Sequence, residues 1–216
     1  MELNLSAVEA RVVGALMEKE RATPQNYPLS LNGVLMACNQ KSGRDPVMAL
    51  PETTVFRALE QLMGKRVVQR LISDDSRVPK YRQAFSEMFR MDDGEAAAVC
   101  VLLLRGPQTT GEIRGRTERL HKFAGLEAVS ETIRRLQSKE PDPLVQQLPR
   151  QPGTKESRFS HLFSGEVALA DVPEPASVTV QAENDRINQL ESEVRSLRSE
   201  VGWLKAQFES FKTQFE

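Results

Sequence analysis

The sequence contains an internal repeat, which constrains the fold more than any other feature of the chain. Near the N-terminus, Ser6 and Glu9 have the spacing of a capping box, in which each side chain accepts the backbone N–H of the other residue at a helix start. The same pattern recurs 86 residues later as Asp92 and Glu95. Apolar residues at helical spacing follow each box, so we expect two copies of one unit.

Two further helices are predicted in each copy from the spacing of apolar residues. The second helix of the first copy has one buried face, formed at positions i, i+3, i+4 and i+7 by Leu31, Val34, Leu35 and Cys38. Its counterpart begins with another capping box, made by Thr109 and Glu112. The third helices have the cores Val55, Leu59 and Leu62 in the first copy and Val129, Ile133 and Leu136 in the second.

A pair of short strands is predicted after each third helix, because turn-forming residues separate two β-forming segments there. These segments are residues 67–72 and 80–85 in the first copy, and 144–148 and 158–163 in the second. The aromatic residues Tyr81 and Phe85 match Phe159 and Phe163 at a constant offset of 78. Three helices followed by a hairpin is the element order of a winged helix-turn-helix domain.

We therefore predict a mainly α fold with small β-hairpin wings (α+β), in which two tandem winged helix-turn-helix domains precede a C-terminal coiled-coil helix. The first domain spans residues 1–90, called the first half below, and the second spans residues 91–165, called the second half. The alternative is a pair of unrelated small helical bundles. The repeat is favoured because caps, core spacings and aromatic residues recur in the same order.

The composition changes after the second half. Residues 166–185 contain Pro173 and Pro175 and few large apolar residues, which predicts a linker. In residues 186–216, apolar residues alternate three and four positions apart, as in a coiled coil, and the residue types favour a parallel homodimer. A single amphipathic helix folding back on the body is the alternative. The predicted dimerisation residues are Ile187, Leu190, Val194, Leu197, Val201, Leu204, Phe208 and Phe211.

Six segments are long and specific enough to indicate a family: Tyr27–Val34, Ala37–Ser42, Arg44–Met48, Leu102–Thr109, Glu156–Phe159 and His161–Glu166. In these segments the chain resembles the YceH family of uncharacterised bacterial proteins. The resemblance covers residues 1 to about 166 closely and the tail more loosely. It implies a tandem winged-helix fold in a bacterial protein, and it brings no catalytic or binding residues with it.

The net charge of −1 excludes a protein that coats nucleic acid nonspecifically, since such proteins carry a large basic excess. The charge is unevenly distributed along the chain. The first half has 13 basic and 10 acidic side chains, the second half 11 and 10, and residues 166–216 have 5 and 10. A mildly basic body therefore precedes an acidic tail, which leaves site-specific DNA binding and protein docking both open.

The outward face of the third helix in the first half predicts a DNA-binding surface. If Leu59 faces the core, polar and basic residues face outward, and these residue types contact base edges and phosphates. The alternative is an ordinary solvated face with local ion pairs. The predicted contacts are Thr54, Arg57, Gln61 and Lys65 on the helix and Arg77, Lys80 and Arg82 on the hairpin.

The matching helix of the second half is a weaker candidate for DNA binding. Its outward residues are Glu127, Glu131 and Arg135. Two carboxylates on one face would repel phosphate groups. We therefore expect the first half to carry any DNA-binding function.

The first helix of the second half is apolar almost all round, over residues 96–104. The equivalent helix of the first half is expected to place Arg11, Glu18 and Lys19 on its outside. A helix without a polar face needs cover on both sides. We therefore predict that Val101 and Leu104 lie at a contact between the two domains or between subunits.

A polar segment, Asn39–Asp45, separates two core segments of the first half. Lys41 and Arg44 could bind an anion or a partner there. Alternatively, Asn39 and Gly43 close the helix and turn the chain.

Catalysis is not expected, because the sequence shows no supported nucleophile, acid–base pair or phosphate-binding glycine loop. Cys38 and Cys100 fall on apolar faces, so we expect both to be core residues. His121 and His161 lack partners at metal-ligand spacing. No cofactor, metal or membrane segment is expected, and we predict a cytoplasmic protein. The leading hypothesis is a regulatory protein that binds double-stranded DNA as a homodimer. The alternative is a protein-interaction adaptor that does not bind DNA.

Overall fold

The computed structural model describes residues 3–73, 76–150 and 156–165, which all lie in one compact unit, Met1–Leu169. The predicted linker 166–185 and coiled coil 186–216 lie outside the described residues. The dimerisation residues from Ile187 to Phe211 therefore stay a prediction. Within the described residues, none of the helices combines the length and the apolar composition that crossing a bilayer requires.

The first half contains four α-helices and three strands. A single 3-10 turn, Pro24–Asn26, follows the first helix. In chain order the elements are α1 (Ala7–Ala22), β1 (Leu29–Ser30), α2 (Leu31–Cys38), α3 (Glu52–Gly64), β2 (Val68–Ser73), β3 (Ser76–Gln83) and the short α4 (Phe85–Met88).

The second half repeats the order of three helices and two strands. Its elements are α5 (Asp93–Arg105), α6 (Thr110–Thr117), α7 (Leu126–Gln137), β4 (Val145–Gln147) and β5 (Phe159–His161).

Both halves contain a small antiparallel sheet. In the first half the strand order is β1-β3-β2, and Tyr81 of β3 lies opposite Leu29 on one side and Arg70 on the other. In the second half β4 pairs with β5. Gln108 forms an isolated β-bridge with Phe159, at the position that corresponds to β1 in the first half. This arrangement is consistent with a winged-helix-like α+β fold and confirms the predicted fold class, while the division into two tandem domains stays a prediction.

The three predicted capping boxes are confirmed. The side chain of Ser6 accepts the N–H of Glu9, and a carboxylate oxygen of Glu9 accepts the N–H of Ser6 at 2.7 Å. The same reciprocal bonds start α5 at Asp92 and α6 at Thr109. Because a cap satisfies N–H groups that have no partner within the helix, these short polar patterns fix where each helix begins.

The two halves share one hydrophobic core, and the first helix of each half lies at its centre. Gly14 of α1 is packed so closely on α5 that a Cβ there would lie 2.9 Å from Cγ of Leu104. Val101 and Leu104 are both buried. At the other end of the core, the rings of Phe85 and Phe163 meet edge-on, with centroids 4.7 Å apart.

Two expectations about the helices and strands of the first half are wrong. Arg11 does not lie on the outside of α1, since only 2% of its surface is exposed. Its guanidinium donates to the carbonyl oxygens of Cys38 at 3.2 Å and Pro46 at 2.6 Å. The second strand of the hairpin also runs over Ser76–Gln83 rather than over residues 80–85. It starts earlier than predicted, and it ends at Gln83 because Phe85 begins α4.

Candidate nucleic-acid interface

Helix α3 presents one buried and one exposed face. Its core residues Val55, Leu59 and Leu62 are fully buried, as their helical spacing predicts. On the opposite face, the side chains of Arg57 and Gln61 are exposed. Thr54 lies between the faces and is half-buried.

The hairpin β2–β3 presents a second exposed surface. Directly opposite residues of paired strands lie on one face, which places Leu71 with Lys80 and Gln69 with Arg82. Lys80 is exposed. Arg82 donates to Oε1 of Gln69 at 2.8 Å, and its Nη2 lies 3.6 Å from Oε1 of Glu87 on α4. The backbone of Arg77 belongs to β3, and its side chain lies outside the described part of the chain.

Two further cations, one after the end of α3 and one on the hairpin, were missed by the sequence analysis. Arg66 follows α3 with a positive φ of 61°, and Arg70 lies on β2. Both side chains are exposed. Within the described residues, Arg57, Arg66, Arg70 and Lys80 have no ion pair. The sequence signal that could have indicated Arg66 and Arg70 is the presence of basic residues in the first hairpin strand and in the turn before it.

Lys65 is not available as a phosphate contact, which corrects the prediction made for it. Its Nζ lies 2.6 Å from Oε1 of Glu9 and donates to the carbonyl oxygen of Asn4 at 2.7 Å. Burial alone would raise the pKa of Glu9, but the hydrogen bonds from Lys65 and Ser6 lower it below its usual value. Lys65 ends α3 next to the start of α1, so it stabilises the fold.

The outer face of α7 has its cations paired with carboxylates. Arg134 contacts both Glu131 and Glu127, the latter at 3.5 Å. Arg135 lies 2.7 Å from Oδ2 of Asp92 at the start of α5. This face therefore has little free positive charge to offer to phosphate groups.

The polar segment Asn39–Asp45 is held by internal hydrogen bonds. The side chain of Asn39 exchanges two hydrogen bonds with the backbone of Leu50, at 2.8 and 2.9 Å. The side chain of Arg44 is fully buried and donates to both carboxylate oxygens of Glu18, at 2.6 and 2.9 Å. Gly43 has a φ of +74°, which favours glycine. The segment therefore closes α2 and turns the chain, and Arg44 is not free to bind an anion.

The cysteine and histidine side chains do not form a reactive site in the described residues. Both thiols are buried, as predicted, and burial raises the pKa of Cys38 to about 12. Burial lowers the pKa of His161 to about 4, and its Nδ1 has no hydrogen-bond partner there. Across the described ranges, no group of three His, Cys, Asp or Glu side chains is placed to hold a metal ion.

A family model described as "protein of unknown function, DUF480" matches residues 5–154. A UPF0502 protein of Geobacter sulfurreducens is 54% identical over the full length of both chains. The chain belongs to the DUF480/UPF0502 family. This agrees with the family of uncharacterised bacterial proteins indicated by the sequence.

Other members of the family are similar over most of their length. A UPF0502 protein of Solibacter usitatus is 50% identical over 91% of this chain and 94% of its own. Another, from Opitutus terrae, is 46% identical over 89% of this chain and 83% of its own.

Proposed function

We propose that this protein binds specific sites on double-stranded DNA through α3 and the hairpin β2–β3, and that it acts in regulation. The observation that carries the proposal is the set of four exposed cations without ion pairs among the described residues: Arg57, Arg66, Arg70 and Lys80. The strongest contrast is with α7, where Arg134 and Arg135 are paired with carboxylates.

In this proposal, α3 enters the major groove and the hairpin contacts the DNA backbone. Arg57 would donate two hydrogen bonds to a guanine edge, and Gln61 would contact an adenine edge. Thr54, which is half-buried, would contact a base or phosphate at the groove margin. Lys80, Arg82 and Arg77 would contact phosphate groups, and so would the newly found Arg66. Arg70 lies opposite Tyr81, on the other face of the hairpin from Lys80, and adds positive charge to this part of the protein.

A parallel homodimer formed by residues 186–216 would present two such surfaces and bind a two-fold symmetric site. We propose a cytoplasmic binding protein without catalytic activity. The burial of both thiols supports the last point, since a buried thiol with a raised pKa is a poor nucleophile.

The experiment is selection of bound sequences from a random duplex pool with the full chain, followed by fluorescence anisotropy at several salt concentrations. We expect one enriched sequence, and we expect Arg57→Ala to weaken binding to it by about 5- to 100-fold. Lys80→Ala should weaken binding to all duplexes alike and reduce the salt slope by about 1. Arg134→Ala is the matched control, and it should leave the affinity unchanged.

If no sequence is enriched, or if Arg57→Ala and Arg134→Ala bind equally well, the proposal is wrong. A second candidate is a protein-interaction adaptor, which is favoured by the exposed apolar side chains of Leu71 and Ile72 on the hairpin. Affinity capture with and without nuclease separates the two. A partner that survives nuclease and is lost in Ile72→Asp, but kept in Arg57→Ala, would favour the adaptor.

A further inference from the structure

A cavity of about 770 Å³ opens on the side of the core where the two halves meet. It lies between the end of α1, the polar segment 39–45, the end of α5, and α6. Cavities of about 300 to 1,000 Å³ are the usual size of small-molecule sites. Neither the fold nor the proposed DNA contacts make use of this space.

The lining of the cavity has a positive charge excess. Four cationic side chains line it, against two carboxylates, Glu18 and Glu118. The charge of Glu18 is already compensated, because buried Arg44 donates to both of its carboxylate oxygens. Despite the burial of this carboxyl, the hydrogen bonds from Arg44 hold the pKa of Glu18 below its usual value. The four cations are Lys19, Arg105, Arg116 and Arg119.

Arg105 is the most informative of these side chains. It is half-buried at the end of α5, and no described residue forms a hydrogen bond or ion pair with its guanidinium. Burial lowers its pKa, and repulsion from Arg116 and Arg44 lowers it further, while the carboxylates of Asp45 and Glu18 act in the opposite direction. A bound anion would give this guanidinium the hydrogen-bond partner that it lacks among the described residues.

The polar segment shapes the site around Arg105. A Cβ on Gly43 would lie 3.7 Å from Nη2 of Arg105 and 3.7 Å from Oε1 of Glu18. Both side chains therefore reach the glycine, whose positive φ of +74° turns the chain at the cavity wall. Gln40 and Ser42 of the same segment line the cavity and offer neutral hydrogen-bond donors.

We propose that this cavity binds a small organic molecule with at least two negative charges, carried by phosphate or carboxylate groups. Arg105 and Arg119 bind the anionic groups directly, since neither has another partner among the described residues. Lys19 and Arg116 add positive charge, although each also lies 3.6 Å from a carboxylate oxygen, of Glu18 and Glu112 respectively. This site is independent of the DNA proposal, because it shares none of the residues of α3 or the hairpin.

The test is isothermal titration calorimetry of the full chain with pyrophosphate and, separately, with succinate, each against sodium chloride of equal ionic strength. Binding of pyrophosphate alone identifies a phosphate ligand, and binding of succinate identifies a dicarboxylate. Either result supports the site if Arg105→Gln weakens binding of that anion at least 10-fold. If neither anion gives heat above the chloride control, the proposal is overturned.

Two glycines on α6 provide a matched pair of variants. Gly115 lines the cavity, and a Cβ there would meet no atom within 4 Å. Gly111, one turn earlier, does not line it, and a Cβ there would meet only Oγ1 of Thr109, at 3.9 Å. Gly115→Glu should therefore weaken anion binding at least 10-fold, while Gly111→Glu adds the same charge outside the cavity and should bind normally. Equal binding by the two variants would place the anion elsewhere and overturn the proposal, and circular dichroism checks that both fold.

Discussion

Each half of the described unit contains its own lysine contact that stabilises its helices, and the two contacts are equivalent. In the first half, Lys65 at the end of α3 pairs with Glu9 and donates to the carbonyl oxygen of Asn4. In the second half, Lys139 after α7 pairs with Glu95 at 2.6 Å and donates to the carbonyl oxygen of Arg90 at 3.0 Å. Each lysine therefore joins the end of a third helix to the capping box of a first helix. This contact is equivalent in both halves.

The outer faces of the same third helices differ. When Val55 is matched to Val129 and Leu59 to Ile133, Arg57 of α3 falls at the position of Glu131 in α7. The exposed charge is therefore reversed between helices whose internal contacts are alike. The residues that hold each half together and those available for binding are therefore separate sets. Of the two third helices, only α3 has an exposed cation without a carboxylate partner among the described residues.

The largest difference between the halves inside the core is Arg11, whose counterpart in α5 is the small residue Ala97. We expect Arg11→Ala to lower the free energy of unfolding by about 4 kcal/mol, because it opens a cavity and leaves the carbonyl oxygens of Cys38 and Pro46 without their donor. Urea unfolding followed by circular dichroism measures this. Arg11→Lys is the control, and it should recover part of the loss. A change below about 1 kcal/mol would show that Arg11 is dispensable.

The second prediction compares the two lysine contacts. Lys65→Met leaves the carboxylate of Glu9 buried without a cation and should cost about 2 to 3 kcal/mol. Lys139→Met should cost about 1 kcal/mol, since Nε of Arg135 remains 3.4 Å from Oε1 of Glu95. Urea unfolding of both variants at pH 7 measures the difference.

A pH series on Lys65→Met provides a second check on this contact. The pKa of Glu9 is lowered in the folded protein, so the stability it contributes is present above its usual pKa of 4.5 and is lost as the pH falls through its folded value. The difference in the free energy of unfolding between Lys65→Met and the unchanged protein should therefore become smaller at acidic pH. If this difference did not change with pH, or if Lys65→Met and Lys139→Met lowered the free energy of unfolding equally, the roles given to the two lysines would be wrong.

The third prediction concerns His161, which occupies the position of Gln83 in the first half. Both polar atoms of the Gln83 side chain have partners: Nε2 donates to Glu20 at 2.6 Å, and Oε1 accepts the N–H of Ser86 at 2.9 Å. The pKa of His161 is lowered from 6.5 to about 4 in the folded protein. Between pH 6.5 and pH 4, this histidine is therefore protonated in the unfolded chain and neutral in the folded one. Stability is therefore lost as the pH falls below 6.5, by about 2 kcal/mol between pH 7 and pH 5.

His161→Gln tests this by placing the residue of the first half in the second. Urea unfolding at pH 7 and pH 5 should show that the variant loses about 2 kcal/mol less than the unchanged protein over this range. The same loss in both proteins would mean that His161 stays accessible to protons in the folded state.

Local patterns in the sequence predicted much of this structure. The capping boxes of Ser6, Asp92 and Thr109 and the helical spacing in α3 involve residues within one or two turns, so the chain's own periodicity determines them. The hairpins were predicted because turn residues separate β-forming segments. The face of α3 that carries Arg57 and Gln61 followed from the same periodicity.

The side chains that sequence reasoning placed wrongly depend on contacts between residues far apart in the chain. The sequence predicts Arg11 on the outside of α1, whereas its acceptors, the carbonyl oxygens of Cys38 and Pro46, are distant along the sequence. The carboxylates that pair with Lys65 and Arg44, those of Glu9 and Glu18, are likewise far from them in the sequence. Periodicity shows which face a side chain lies on, but the partner that satisfies a charge depends on how the helices pack.

The smallest prediction concerns the outer faces of α3 and α7 directly. Arg134→Ala removes two exposed ion pairs and should lower the free energy of unfolding by about 0.5 kcal/mol or less, in a manner that 0.5 M sodium chloride abolishes. Arg57→Ala should cause no salt-dependent change, because Arg57 has no carboxylate partner among the described residues. Paired unfolding curves at low and high salt measure both. If Arg57→Ala showed the larger salt-dependent loss, its charge would already be neutralised within the protein, and the two faces would not differ in the charge they offer to DNA.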